Sequence, residues 1–220
     1  MEQLVDFGII PIDYASLQTT FPSLKAFKDK VSDLERKGTI IRLKRGLYIV
    51  SPAISGKELS VELIANHLYG PSYISMQSAL RFYGLIPERV YNTSSMTIKR
   101  SRTLTNSFGQ FNYIYCPSTY YSIGITQVIN DDYAFMIASP EKALCDLIAY
   151  TPKLRIRSLK SLEIYLEEDI RFDMDEFHKM KVSVFEQCAE VSKKKTEFNK
   201  IIKLLRQWIF SIKWYPATKF

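Results

Sequence analysis

The stretch PSLKAFKDKVSDLERKGTIIRLKRGLYIV, from Pro22 to Val50, decides how the chain is read. Its first half carries Leu24, Phe27, Val31 and Leu34 at three- and four-residue steps, the spacing that lines up one buried stripe along a helix opened by Pro22-Ser23. Gly38 stops that helix. From Thr39 to Val50 the chain is two short β-branched and aromatic runs broken at Arg45-Gly46, where a tight hairpin falls. A basic helix feeding a basic-tipped hairpin predicts a winged helix-turn-helix unit. Residue steps of about 100° put Lys25, Asp29, Ser32 and Arg36 opposite the apolar stripe, with Lys28 at its flank, so these side chains would meet a DNA groove. Ser23, at the helix start, would offer its hydroxyl and nearby N–H groups to a phosphate. Arg42, Lys44 and Arg45 would project from the wing onto the sugar-phosphate backbone or into the minor groove. Asp29 and Asp33 dilute the cations of the helix, so the wing is expected to supply much of the phosphate affinity.

Working outward, the whole chain is moderately basic, with 30 Lys and Arg against 23 Asp and Glu in 220 residues, which favours polyanionic partners. The cations are unevenly spread. One focus is the helix and wing, a second is Lys153, Arg155, Arg157 and Lys160, and a third runs from Lys193 to Arg206. The acidic stretch between them, Glu163 to Glu176, reads as a solvated surface. Cys116, Cys145 and Cys188 are scattered, odd in number and far from any histidine pair, so they read as buried free thiols in a reducing cytosol. No basic-then-apolar leader follows Met1, and no apolar run approaches about 18 residues, so a cytoplasmic protein without a membrane span is expected.

The fold class expected is α+β: an N-terminal winged helix-turn-helix domain over residues 1–52, then a mixed α/β domain over 53–220, helical from about 153. A short helix over 12–20 precedes the reading helix, with Tyr14 and Leu17 facing in. Pro52 to Gly56 has connector composition. Helices are expected over 59–68, ended by Gly70-Pro71, and over 75–83, stopped by Gly84. Residues 96–99 and 111–115 alternate as strands, and Ala134 to Ile137 is a buried strand. Ser139 caps a helix with Pro140 in its first turn and Leu144, Leu147 and Ile148 on its buried face. Three more helical segments follow, the last with an apolar stripe of Phe198, Ile201, Ile202, Leu204, Leu205, Trp208, Ile209 and Ile212. That stripe should dock on the chain's own core or on a second copy.

Enzymatic chemistry is thinly represented. His67 and His178 sit on separate helices with no carboxylate or cysteine at ligand spacing, so neither a metal nor any other cofactor is expected. Asp131-Asp132 lies in turn composition. Glu141 and Asp146 could serve a metal-dependent nuclease, but the Glu sits in a helix's first turn, where the dipole alone accounts for it.

Four segments in order carry a resemblance. They are Lys44-Arg45-Gly46-Leu47-Tyr48, Tyr73-Ile74-Ser75-Met76-Gln77-Ser78-Ala79-Leu80, Tyr83-Gly84-Leu85-Ile86-Pro87, and the segment from Ile137 through Ser139-Pro140-Glu141-Lys142-Ala143-Leu144-Cys145-Asp146 to Leu147. Together they resemble the AbiEi-type antitoxins of type IV, abortive-infection toxin-antitoxin systems, over roughly residues 22–150. The resemblance implies a non-enzymatic winged-helix protein that binds repeated operator DNA, represses its own operon and self-associates there. It also implies a C-terminal domain that counteracts a nucleotidyltransferase-like toxin, with or without a stable complex. Basic patches on both domains are expected of that family, and here Lys99, Arg100, Arg102, Lys153, Arg155 and Arg157 would form the antitoxin surface. Ser75, Ser78, Ser139, Pro140 and Glu141 match its motifs but are accounted for by capping. The rival reading is a ligand-responsive winged-helix regulator unrelated to a toxin.

Overall fold

The computed structural model describes residues 2–22, 25–88, 91–130 and 132–214, with the side chains of residues 2, 3, 209 and 211–214 outside that description. Ser23, Leu24 and Asp131, and the side chains of Ile209 and Ile212, therefore lie outside the described residues. The chain is a mixed α+β protein with two sheets.

The first elements are α1 (Glu2–Val5), β1 (Ile12–Asp13), α2 (Tyr14–Thr19), α3 (Phe27–Arg36), β2 (Ile40–Lys44) and β3 (Leu47–Val50). Asp13 accepts a hydrogen bond from the Ser16 N–H at 2.7 Å and so caps α2. Ile12 consequently stays extended and pairs with Tyr48, where a helix over 12–20 was expected. The strands form an antiparallel sheet in the order β1-β3-β2. Gly46 turns the hairpin at φ +76°, and its carbonyl accepts from the Tyr14 N–H at 2.9 Å, tying the tip to the start of α2.

α3 begins at Phe27, with Lys25 and Ala26 in a turn before it. Its N-cap is Ala26, which has no side-chain oxygen to cap with. Phe27 is buried against Tyr14, centroid to centroid 4.9 Å, and Phe21, 6.3 Å, so the aromatic contacts hold the first turn of the helix in place. Val31 and Leu34 continue the buried stripe.

All four residues of β3 are buried, and they alternate between two cores. Tyr48 and Val50 join Leu4, Ile12, Leu17, Phe27, Val31, Leu34 and Ile40 beneath the N-terminal helices. Leu47 and Ile49, with Leu43 of β2, point the other way into the main core of the chain. The small sheet is thus covered on both faces.

The chain continues with α4 (Pro52–Ser55), α5 (Val61–Leu68), β4 (Ser72–Ile74), α6 (Met76–Phe82), β5 (Asn92–Thr97), β6 (Arg102–Asn106), β7 (Gly109–Tyr115), α7 (Ser118–Tyr121), β8 (Ile125–Asn130), β9 (Tyr133–Ala138) and α8 (Pro140–Tyr150). The strands form one sheet in the order β6-β7-β5-β4-β9-β8, parallel at β5/β7 and β4/β9 and antiparallel elsewhere. α5 lies on the face that carries Tyr113, whose hydroxyl donates to the Ala65 carbonyl at 2.6 Å. α9 (Leu159–Ile164), a π-helical turn (Tyr165–Asp169), α10 (Met174–His178), α11 (Val182–Val191) and α12 (Lys195–Trp214) complete the chain. Phe198, Ile201, Ile202, Leu204 and Leu205 dock α12 on the protein's own core, while Trp208 stays 41% exposed. Among the described residues no helix is long and apolar enough to cross a membrane.

One polar network lies at the centre. The Lys142 and Asp146 side chains are both 0% exposed and form an ion pair at 3.1 Å, one helical turn apart on α8. Asp146 also accepts from the Ser75 hydroxyl at 2.6 Å and the Tyr73 hydroxyl at 3.0 Å, and the Lys142 ammonium donates to the Tyr120 carbonyl at 2.9 Å and lies over the Tyr120 ring. Burial pushes the Asp146 carboxyl up, with Lys142 and Ser75 working against that shift. Ser139 caps α8 as expected, accepting from the Lys142 N–H. Removing one member of a buried ion pair strands the other charge, so Lys142→Met should cost about 3–5 kcal/mol in urea unfolding. Adding Asp146→Asn, which still accepts from Ser75 and Tyr73, should recover a large part of that loss. Additive effects of the two substitutions would show that the pair is not coupled.

Candidate nucleic-acid interface

Helix α3 and the β2-β3 hairpin meet at a cleft of about 410 Å³ walled by Lys28 and Ser32 of α3, Arg42 of β2, Arg45 of the hairpin tip, and Tyr14 and Tyr48. Four of the residues picked from sequence are therefore brought together. Lys28 faces out because Phe27, Val31 and Leu34 face in. Arg45 sits at the tip because the turn needs its two residues, Arg45 and Gly46, between Lys44 and Leu47.

The charges in and around this cleft are not equally available. Arg42 makes a two-pronged hydrogen bond to the Glu35 carboxylate, 2.7 Å at Nε, and lies over the Tyr48 ring, 5.9 Å to its centroid. The Glu35 hydrogen bond raises the Arg42 pKa. Arg36 pairs with Asp33 at 2.6 Å and Lys37 with the same carboxylate at 2.7 Å, and hydrogen bonds from Lys37 and Arg36 hold the Asp33 carboxyl below its ordinary value. Ser32 spends its hydroxyl proton on the Lys28 carbonyl at 3.1 Å, leaving its lone pairs free. Among the described residues Lys25, Lys28 and Arg45 have no carboxylate partner. Lys25 is exposed but stands in the turn before α3, since the helix starts later than its sequence pattern suggested.

Lys44 is the clearest departure from expectation. A β-bulge between Arg42 and Lys44 breaks the alternation of β2. The Lys44 ammonium consequently turns away from the α3 cleft and donates to the Leu68 carbonyl, at 2.6 Å, at the end of α5. Burial and repulsion from Arg102 and Lys99 lower its pKa. Lys99 donates to the Gly70 carbonyl, and both Lys99 and Arg102 lie over the Tyr69 ring at 5.4 and 5.9 Å. Lys44, Lys99 and Arg102 thus form a second cationic cluster on the opposite side of the hairpin. Arg100 is exposed beside it, its carbonyl accepting from the Tyr69 hydroxyl. Lys153, Arg155 and Arg157 are exposed on the loop between α8 and α9.

Sequence reading missed Glu35 as the residue that restrains Arg42, and Tyr14 and Tyr48 as cleft walls. No spacing rule links a helix residue to a strand residue seven positions later, although the Glu35 charge itself was visible. The Glu141 and Asp146 pair does not form an open site. Glu141 accepts from the Lys181 N–H at 3.0 Å, and Asp146 is enclosed in the network with Lys142. No protein-family model matches the chain, and no curated protein matches it in sequence.

Glu35→Gln removes the charge that holds Arg42 and should tighten binding to duplex DNA several-fold in fluorescence anisotropy. The slope of log K against log salt should steepen by about 0.9 if Arg42 gains one phosphate. Unchanged or weaker binding would show that Arg42 takes no part.

Proposed function

We propose that residues 1–52 form a winged helix-turn-helix unit that binds operator DNA, and that the protein is a cytoplasmic, non-enzymatic antitoxin of the AbiEi type. On this reading it represses its own operon and counteracts a nucleotidyltransferase-like toxin. The observation that carries the DNA-binding half is the convergence of Lys28, Ser32, Arg42 and Arg45 on one cleft between α3 and the β2-β3 hairpin. The element order α1-β1-α2-α3-β2-β3 supports it, since three helices and a small antiparallel sheet are the parts of a winged helix. α3 then enters the major groove with Lys28 and Ser32 forward, and Arg45 grips a backbone phosphate beside it. The antitoxin half rests on the ordered sequence blocks. The exposed Lys153, Arg155 and Arg157 and the cluster of Lys99, Arg100 and Arg102 are its candidate surface.

The second reading, a ligand-responsive regulator, is favoured by one feature, a roomy cleft on the large sheet. Two measurements separate the readings. In a gel-shift assay at about 0.15 M salt, where the Debye length is about 8 Å, the protein should retard its own upstream promoter in preference to unrelated DNA. Lys28→Ala with Arg45→Ala should weaken this by about tenfold or more. Equal affinity for any duplex would remove the repressor role. Co-expression with a neighbouring nucleotidyltransferase-like toxin should restore growth, and continued arrest would sink the antitoxin half.

A further inference from the structure

The large sheet is not evenly covered. On the face opposite α5, helices α6 and α8 and the π-helical turn leave a cleft of about 860 Å³ over β5, β6 and β7. That volume falls within the roughly 300–1,000 Å³ of small-molecule sites. Its floor is a polar row crossing three strands: Ser94 of β5 stands beside Asn112 of β7, and Asn112 stands opposite Thr103 of β6. The Asn112 side-chain oxygen accepts from the Thr103 hydroxyl at 3.0 Å and from the Gln110 amide at 3.1 Å. Those two donors set the orientation of the amide, and its Nδ2 group has no hydrogen-bond partner among the described residues. An N–H donor is therefore presented, already oriented, on the floor of the cleft.

The walls add flat apolar surface and one carboxylate. Tyr150, Tyr165, Leu147 and Ile170 line one side, and Asp169 lies exposed beside them. Arg102 borders the cleft, but it is paired with Tyr113 and its guanidinium rests over the Tyr69 ring on the other face, so its charge points away. The nearest cations without a carboxylate partner follow directly in the chain. Thr151 and Pro152 line the cleft, and the chain then turns through Lys153, at φ +63°, to Arg155 and Arg157, all three exposed and without a carboxylate partner among the described residues. Two uncommon backbone features border the same space: Met76 in the left-handed region at φ +53°, and the π-helical turn, both of which concentrate at ligand sites.

A hydrogen-bonding floor with an aromatic wall, one carboxylate and a run of exposed cations next in the chain fits a ligand with a flat polar body, hydroxyls and an anionic tail. An inorganic polyanion would sit among the cations, and a fatty chain would strand the polar floor. We propose that this cleft binds a nucleoside phosphate, the base against the half-buried Tyr150 with an acceptor on the Asn112 amide, the ribose hydroxyls toward Asp169, and the phosphates toward the exposed cations of residues 153–157. Aromatic rings hold bases by stacking, and Arg and Lys take phosphate. The same chemistry is offered by a free nucleotide and by one unit of a single strand.

Isothermal titration of the full chain with ATP, GTP, CTP and UTP, the four nucleosides and tripolyphosphate tests the assignment. At least one nucleotide should bind, more tightly than its nucleoside. Asn112→Asp keeps the acceptor for Thr103 and Gln110 but replaces the presented donor with a charged oxygen, and should weaken binding at least tenfold. Arg155→Glu with Arg157→Glu should weaken the nucleotide and leave the nucleoside unchanged. Thr103→Val, at an exposed position, loosens the Asn112 amide and provides the same readout if Asn112→Asp fails to fold. A short oligonucleotide that binds more tightly than the mononucleotide and is displaced by it identifies the single strand as the source, whereas preference for the mononucleotide identifies the free species. Three results would overturn the proposal: no nucleotide bound at millimolar concentration, binding insensitive to both floor variants, or tripolyphosphate binding as well as the best nucleotide. Promoter retardation should be unaffected by Asn112→Asp, so this site and the DNA interface fail independently.

Discussion

The two-sided burial of β3 is the constraint on which the arrangement of the molecule depends. An antiparallel hairpin in a small domain ordinarily leaves one face to water. Here Tyr48 and Val50 close the core under α2 and α3 while Leu47 and Ile49 enter the core of the large sheet. Each such side chain contributes about 1.5–3 kcal/mol by leaving water. Four consecutive residues therefore commit the hairpin to both parts at once, and it cannot swing relative to either without exposing one set. The α3 cleft and the large sheet are held in a fixed relation by the same strand that shapes the cleft.

That constraint also sorts the charges. Because both faces of the hairpin are occupied, its cations emerge only at its edge and tip, and the bulge at Arg42 and Lys44 sends neighbouring cations to opposite sides. Lys44 ends against the carboxyl end of α5, where a cation is favoured by the helix dipole. Arg42 remains on the α3 side but shares its guanidinium with Glu35. An exposed ion pair of this kind is worth only about 0–1 kcal/mol, so a phosphate can take Arg42 from Glu35 at small cost. The three hairpin cations are therefore not equivalent. Arg45 is available outright, Arg42 by exchange, and Lys44 contributes to the other face.

What could be read from sequence was what local periodicity encodes. The stripe of Phe27, Val31 and Leu34, the break at Arg45-Gly46, the cap at Ser139 and the alternation of Phe111, Tyr113 and Tyr115 all specify their elements within a few residues. Edge strands β6 and β8 were not legible, because Arg102 to Asn106 is mostly polar and Ile125 to Asn130 has only two half-buried residues and no strict alternation. β1 was absorbed into a helix because two residues carry no period of their own. The candidate site was legible as a set of cations but not as a geometry. Nothing local shows that Glu35 would reach Arg42, that a bulge would turn Lys44, or that Ser94, Thr103 and Asn112 would form one row across three strands.

The four sequence blocks behind the family resemblance acquire a physical meaning from where they meet. Tyr73 and Ser75, from the second block, donate to Asp146 of the fourth across more than seventy positions, and Tyr83 of the third donates to the Ala138 carbonyl, again in the fourth. The first block takes no part in that polar network and joins instead through the burial of Leu47 in the same core. The second, third and fourth blocks thus meet in one packed interior, while the first adds Leu47 to that core and also carries Arg45 at the α3 cleft. A buried ion pair with partners on both charges is poor at adding stability but effective at excluding alternative packings, because any misregistered arrangement would leave a charge unpaired. The resemblance therefore speaks to how the body of the protein is packed. On the functions proposed above, the choice of partner would fall to surfaces that this interior holds in position: the α3 cleft, the cations around Tyr69, and the cleft over Asn112.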